Sequence, residues 1–330
     1  MQNVPYILGI DLSKKTLDVY AYQIKKHFCI ENGPAGFKEL VTFLKKEKVS
    51  LNRVVIVMEH TGLYSYRLEQ FLHQQGIAFS KVSALMIKRS LGIVRGKTDR
   101  IDAKRIASFG QQKLPSLILE KPSNEVLEQL RLYYSTRARM VRSKAAFLNA
   151  LKEYENIGLK ESDPLMQTQQ RVVRQLNKEI DKLEEKIDSL IASEASLKKN
   201  YELLTSIKGV GRVVAISALI STGNFTRFSN ARKYACFCGV APFENSSGTS
   251  VRGRTKVSHM ADKSLKTVFD LAAKVAIQHD PELKNYYQKR IEKGKSKMST
   301  INVVRNKIIS RMFAVIKRQT PFVSELLNAA

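Results

Sequence analysis

Four carboxylates occupy positions suited to phosphodiester chemistry. Asp11 closes the apolar run Val4 to Ile10, and Glu59 closes Val54 to Met58. Asp99 and Asp102 stand three apart in Lys97-Thr98-Asp99-Arg100-Ile101-Asp102-Ala103-Lys104. A spacing of three places the last two on one helix face, and acids at the ends of neighbouring strands lie side by side. Four converging acids repel unless cations join them. An oxygen-only donor set suits Mg²⁺ or Mn²⁺, ions that stabilise the attacking and leaving oxygens of a phosphoryl transfer. Arg95, Lys97, Arg100, Lys104 and Arg105 surround the last two acids and could hold a nucleic-acid backbone. Each acid alone reads as a strand-end turn or a solvated helix face; the combination is what carries weight.

The composition points to a polyanionic partner. The chain has 56 Lys and Arg against 30 Asp and Glu, a formal charge of +26 over 330 residues. Phosphate neutralisation with counterion release drives such association. No uninterrupted apolar stretch is long enough to span a bilayer and no signal peptide is evident, so a cytoplasmic, nucleoid-associated location and no membrane partner are expected. Cys29, Cys236 and Cys238 form no disulfide framework, and Cys236-Phe237-Cys238 lacks zinc-knuckle spacing. With no Trp and 8% aromatics, base stacking is not the main mode of binding.

The elements that must position these residues follow from periodicity. Strands are expected over Tyr6 to Asp11, Thr16 to Gln23 and His27 to Glu31, then a helix opened by Gly33 and Pro34 with Phe37, Leu40, Val41 and Leu44 on one face. Val54 to Met58 reads as a strand buried on both faces. A helix through Leu63 to Leu72 and a short strand at Ile77 to Phe79 complete a mixed α/β domain over residues 1–123. Residues 124–200 read as a helical hairpin turning at Gly158 to Pro164. Val173, Leu176, Ile180, Leu183, Ile187, Leu190 and Leu197 form a heptad seam interrupted at Glu194, suited to packing within one chain or between chains. Residues 201–330 read as mostly helical, with a polar, Gly-rich interruption from Glu244 to Gly253. There, Lys208-Gly209-Val210-Gly211-Arg212 between apolar helical stretches has the pattern of a helix-hairpin-helix, whose backbone N–H groups approach phosphate. A tight turn packing two helices is the plainer reading of it.

Gly9-Ile10-Asp11-Leu12-Ser13-Lys14, Glu59-His60-Thr61-Gly62-Leu63-Tyr64 and Lys97-Thr98-Asp99-Arg100-Ile101-Asp102-Ala103 resemble the DEDD motifs of the insertion-sequence "one hundred and ten" family of transposases, which includes Piv-type DNA invertases. The resemblance covers residue 6 to about 322. It implies an N-terminal RNase H-like domain similar to Holliday-junction resolvases, with Asp11, Glu59, Asp99 and Asp102 as catalytic Mg²⁺ or Mn²⁺ ligands. It also implies a covalent nucleophile in the Ser-Gly pair that follows Gly239-Val240-Ala241-Pro242, which here is Ser247-Gly248, with Ser246 and Ser250 as neighbours. Arg252, Arg254 and Lys256 would neutralise the phosphate. Val257-Ser258-His259-Met260 departs from the basic pair and glycine of many relatives. Further implications are donor and target DNA as substrates, a structured guide RNA, a dimer or tetramer joined through the coiled coil, and sites shared between subunits.

Two other functions compete. A resolvase using water would need the acids but not Ser247, and would leave free ends on its product. A non-catalytic nucleic-acid scaffold would need neither.

Overall fold

Strand β1 (Tyr6–Leu12) is the centre of the first of two units into which the chain divides, Met1–Ser123 and Asn124–Ala330. The computed structural model describes residues 5–60, 62–90, 98–120, 124–247, 251–258 and 260–323. In the first unit β1 is joined to β2 (Thr16–Ala21), β3 (Lys26–Glu31), β4 (Val54–Glu59) and β5 (Ala78–Val82) in the order β3-β2-β1-β4-β5. The first three strands are antiparallel, as a short-turn meander requires, and β1, β4 and β5 are parallel. Strand β2 ends at Ala21, two residues before the expected Gln23, because Tyr22 to Lys25 form the turn.

Both faces of the sheet are covered, which explains the unbroken apolar run of β4. Leu8, Ile10 and Ile56 pack with Leu40 and Leu44 of α1 (Pro34–Lys46) and Leu68 and Leu72 of α2 (Tyr66–Gln74). On the other face Ile7, Val55 and Val57 meet Ile87 of α3 (Ala84–Ser90) and Ile106 and Phe109 of α4 (Asp99–Lys113).

Helix α4 lies directly on the sheet, and two glycines permit it. A Cβ on Gly9 would stand 2.3 Å from the Ala107 nitrogen and 2.4 Å from the Ala103 oxygen, and one on Gly110 would stand 2.6 Å from Val57 Cγ2.

The second unit begins with α5 (Glu125–Asn156) and α6 (Pro164–Ala192), N-capped by Asn124 and Asp163. They run antiparallel: Arg137 meets Glu184 at 2.6 Å, and Lys144 meets Asn177 at 3.0 Å. The heptad seam does not continue to Leu197 as one helix. Glu194 is extended backbone that begins α7 (Ala195–Thr205), and its carboxylate accepts from Asn124 Nδ2 at 2.5 Å and from Ser196 Oγ at 2.6 Å. The acid that interrupts the seam therefore ties a helix break to the start of α5.

Then follow α8 (Arg212–Thr222), α9 (Ala231–Phe237), β6 (Pro242–Ser247), β7 (Val251–Val257), α10 (Lys263–His279), α11 (Pro281–Glu292) and α12 (Lys297–Arg318). Tyr234, Phe269, Val304, Ile308 and Met312 centre their core. The polar interruption at Glu244 to Gly253 is an antiparallel hairpin of β6 and β7, where a loop was expected. Residues on either side pair as strands, a pairing that composition alone does not reveal. Asn302 and Asn306 on α12 both donate to the Val240 carbonyl oxygen, at 2.8 and 3.2 Å, fixing the approach to β6.

Candidate active site

The direction of α4 brings the acids together. Gly9 faces Ala103 and Ala107, whereas Gly110 faces Ile7 and Val57, so the helix runs antiparallel to β1. Advancing two residues along β1 reaches Asp11, and retreating one helical turn from Ala103 reaches Asp99. Those two steps cover nearly the same length, about 7 and 6 Å. Register supplies the second strand-end acid: β1 and β4 pair in parallel through Ile10 and Met58, so Asp11 and Glu59 occupy the next positions on adjoining strands. Both fall on the α4 side, since Gly9 and Val57 do.

Thr98 starts the helix, its Oγ1 accepting from the Ile101 N–H at 3.3 Å, and Asp99 and Asp102 occupy the first turn. The positive end of the helix dipole favours them there.

Asp11 registers this crowding. Burial, then the charges of Asp102, Asp99 and Glu59, push its carboxyl from 3.8 up to about 6. Asp99 is exposed, and Asp102 Oδ1 accepts from Arg105 Nη1 at 2.7 Å. Among the described residues, no three His, Cys, Asp or Glu side chains meet closely enough to hold an ion in this conformation. The donor chemistry fits a hard divalent cation. The present side-chain directions leave the acids as neighbours, not as a closed cage.

The first motifs did not point to Asp18 and His27. Asp18 is the register partner of Asp11, and its Oδ1 lies 2.7 Å from His27 Nε2. Strand alternation was the available signal, because a residue paired with Asp11 must share its face.

The other expected site residues are dispersed. Arg100 and Lys104 are exposed on α4, while Arg105 is occupied by Asp102. Arg95 and Lys97 lie outside the described residues. Gly209, at φ +89°, meets α10, and a Cβ there would stand 2.6 Å from the Ala272 oxygen. Gly211 has open space around it and precedes α8, and Lys208 is exposed. Arg212 is held by the Asp188 carboxylate at 2.9 Å and the Glu184 carbonyl at 2.7 Å. Backbone pairing sets Ser247 opposite Val251 and Ser246 opposite Arg252. The side chains of Ser246, Ser247, Arg252 and Arg254, and all of Gly248 to Ser250, lie outside the described residues; Lys256 is exposed on β7.

Residues 8–154 match a DEDD transposase family model of the IS110 group, and residues 201–288 match the model described as "Transposase IS116/IS110/IS902 family". The chain belongs to this family. The transposase is 26% identical over 322 residues to the pilin gene-inverting protein of Moraxella bovis, covering 96% of this chain and 97% of that relative. It is 22% identical over 351 residues to the transposase of insertion sequence element IS1111A from Coxiella burnetii, covering 96% and 91%. Among solved structures, the chain of T. thermophilus RuvC in complex with a Holliday junction substrate aligns at TM-score 0.26 and 10% identity, over 35% of this chain and 99% of that one. The transposase is thus an enzyme of DNA recombination. Among its described residues no helix is long and apolar enough to cross a membrane.

Proposed function

We propose that this transposase excises and inserts a mobile DNA element through a covalent phosphoseryl intermediate. The observation that carries the proposal is the convergence of four acids: the parallel register of β1 and β4 sets Asp11 beside Glu59, and the seat of α4 on Gly9 brings the turn bearing Asp99 and Asp102 to the same strand ends. Asp11, Glu59, Asp99 and Asp102 would hold Mg²⁺ or Mn²⁺ once Asp102 turns from Arg105 and the exposed Asp99 turns inward. Such ions supply charge stabilisation at a reacting phosphate.

Ser247 is the proposed nucleophile. Its Oγ bonds to the scissile phosphorus as the bond to one deoxyribose oxygen breaks, and that oxygen leaves as a hydroxyl with the proton that the serine gives up. A hydroxyl of another strand then attacks the phosphoserine, forming the new phosphodiester and returning the proton to Ser247. Arg252, Arg254 and Lys256 on the hairpin would neutralise the phosphate. Arg95, Lys97, Arg100, Lys104 and Arg105, with Lys208, Gly209, Gly211 and Arg212, would hold backbone elsewhere.

The formal charge of +26 supports a structured guide RNA beside donor and target DNA. The heptad seam of α6 packs within the chain, with Ile180, Ile187 and Leu190 buried, so assembly as a dimer or tetramer through the coiled coil is proposed from the family resemblance alone, and residues 124–200 are proposed as a hairpin domain distinct from 201–330. Likeness to the pilin gene-inverting protein favours a second reading, DNA inversion.

The test uses supercoiled donor DNA with Mg²⁺ and RNA from the element's flank. The wild type should yield DNA bound to protein after denaturation; Ser247→Ala and Asp11→Ala should yield none. An adduct surviving in Ser247→Ala overturns the serine role. Free hydroxyl and phosphate ends with no adduct point to a resolvase. Sequencing the junctions separates insertion from inversion, and loss of joining after RNase treatment establishes the guide.

A further inference from the structure

Beside α4, on the flank away from β4, lies a groove of about 500 Å³. One wall is the outer stripe of α4, Lys104 and Ser108; the other is the end of the β2–β3 hairpin, with Tyr20, Tyr22 and Lys25. Tyr20 pairs in register with Gly9 and packs on Ala103 and Ala107, so the groove opens two residues along the sheet from Asp11 and two residues along α4 from Asp102. From there to Tyr22 it runs away from the acids.

We infer that this groove binds the phosphodiester backbone of the DNA strand being cut, on one side of the scissile bond, with Lys25 and Lys104 each on a phosphate. This rests on the transposase reading given above. Charge is the first support. Among the described residues neither lysine forms an ion pair with an acid, and the groove lining contains no carboxylate to satisfy them. The Tyr22 hydroxyl between them suits phosphate and sugar oxygens, which are contacted without regard to sequence; the Ser108 hydroxyl donates instead to the Lys104 carbonyl at 2.9 Å.

The backbone is the second support. Lys25 has φ +53°, a left-handed conformation that hairpin turns usually give to Gly or Asn. The turn is not loose: Gln23 pins it to β1, with Oε1 accepting from Ile7 N–H at 3.0 Å and Nε2 donating to the Pro5 oxygen at 2.9 Å. A lysine is thus held at the rim in a conformation unfavourable to it, and such local strain tends to persist where a side chain is needed.

Lys25→Gly separates the two roles, because glycine relieves the strain while removing the charge. Binding of the full chain to a fluorescent single-stranded DNA oligonucleotide is measured against salt concentration in EDTA, for the wild type, Lys25→Gly and Lys25→Gly/Lys104→Gln. The expected result is a slope of log K against log salt shallower by about 0.7 for the single variant and about 1.4 for the double, with thermal stability equal to or above that of the wild type. Unchanged slopes in folded variants overturn the groove assignment and leave the transposase reading standing. A change seen with structured RNA but not with DNA overturns the assignment to the cut strand. Failure of the wild type to bind DNA at all overturns both.

Discussion

Arg105 Nη1 lies 2.7 Å from Asp102 Oδ1, so an acid proposed to hold a metal ion is neutralised by a cation one turn further along its own helix. The pair is about one-fifth to one-quarter exposed, 19% and 24%. It resembles a latch that a divalent ion must displace. Removing the arginine should therefore assist metal binding, even as it removes a charge that could serve DNA.

For Arg105→Gln we expect Mn²⁺ affinity to rise about five-fold, equal to the roughly 1 kcal/mol typical of a partly exposed ion pair. Isothermal titration of the purified protein measures it. Weaker binding would mean that Arg105 orients Asp102 for the ion.

The displaced carboxyl of Asp11 predicts a pH dependence of stability. Between its unfolded value near 3.8 and its folded value of about 6, the folded protein retains a proton that the unfolded chain has lost. Stability of the metal-free protein should therefore fall as pH rises through that window and level off above it. Asp11→Asn should remove the dependence. It should stabilise the metal-free protein at pH 7.5 by about 1 kcal/mol, a figure discounted for partial exposure, and have little effect at pH 3.5. Urea unfolding in EDTA at both pH values tests this.

Gly9→Ala places a methyl group against two backbone atoms of α4, which cannot rotate away as a side chain could. We expect a loss of about 3 kcal/mol from this overpacking, read as a lower urea midpoint. Metal affinity should fall with it, since the helix carrying Asp99 and Asp102 must lift from β1.

Thr98→Ala removes the side-chain acceptor of the Ile101 N–H and should cost about 1 kcal/mol. Thr98→Ser should retain most of the stability. If activity falls in the alanine variant far more than stability explains, the first turn of α4 is needed in place for catalysis.

Much of the first unit could be read from the chain because its signals are local. The apolar run Val54 to Met58 is a strand covered on both faces, and the three-residue spacing of Asp99 and Asp102 lies in the first turn of a helix. Which acids adjoin depends on strand register and on the direction of α4, both fixed by long-range contacts at Gly9 and Gly110 that no local pattern encodes. Asp18 and His27 were missed for that reason, since their relation to Asp11 exists only in the paired sheet. In the second unit composition points the other way: the serines and glycines from Glu244 to Gly253 suggest a loop, whereas backbone pairing makes strands β6 and β7. Glu194 showed the converse, its interruption of the heptads being visible while its cause, the bond to Asn124, was not.

The seat of α4 has a consequence for how this site can vary. Because Gly9 locates the helix from beneath, the position of its acids is gauged from the floor of the sheet and not from the chain that leads into Thr98. That lead-in is released from metric duty: its length can change and acquire insertions while the acids stay in place. The tolerance should end abruptly at Thr98, where a single added residue within the first turn would swing Asp99 by about 100° around the helix.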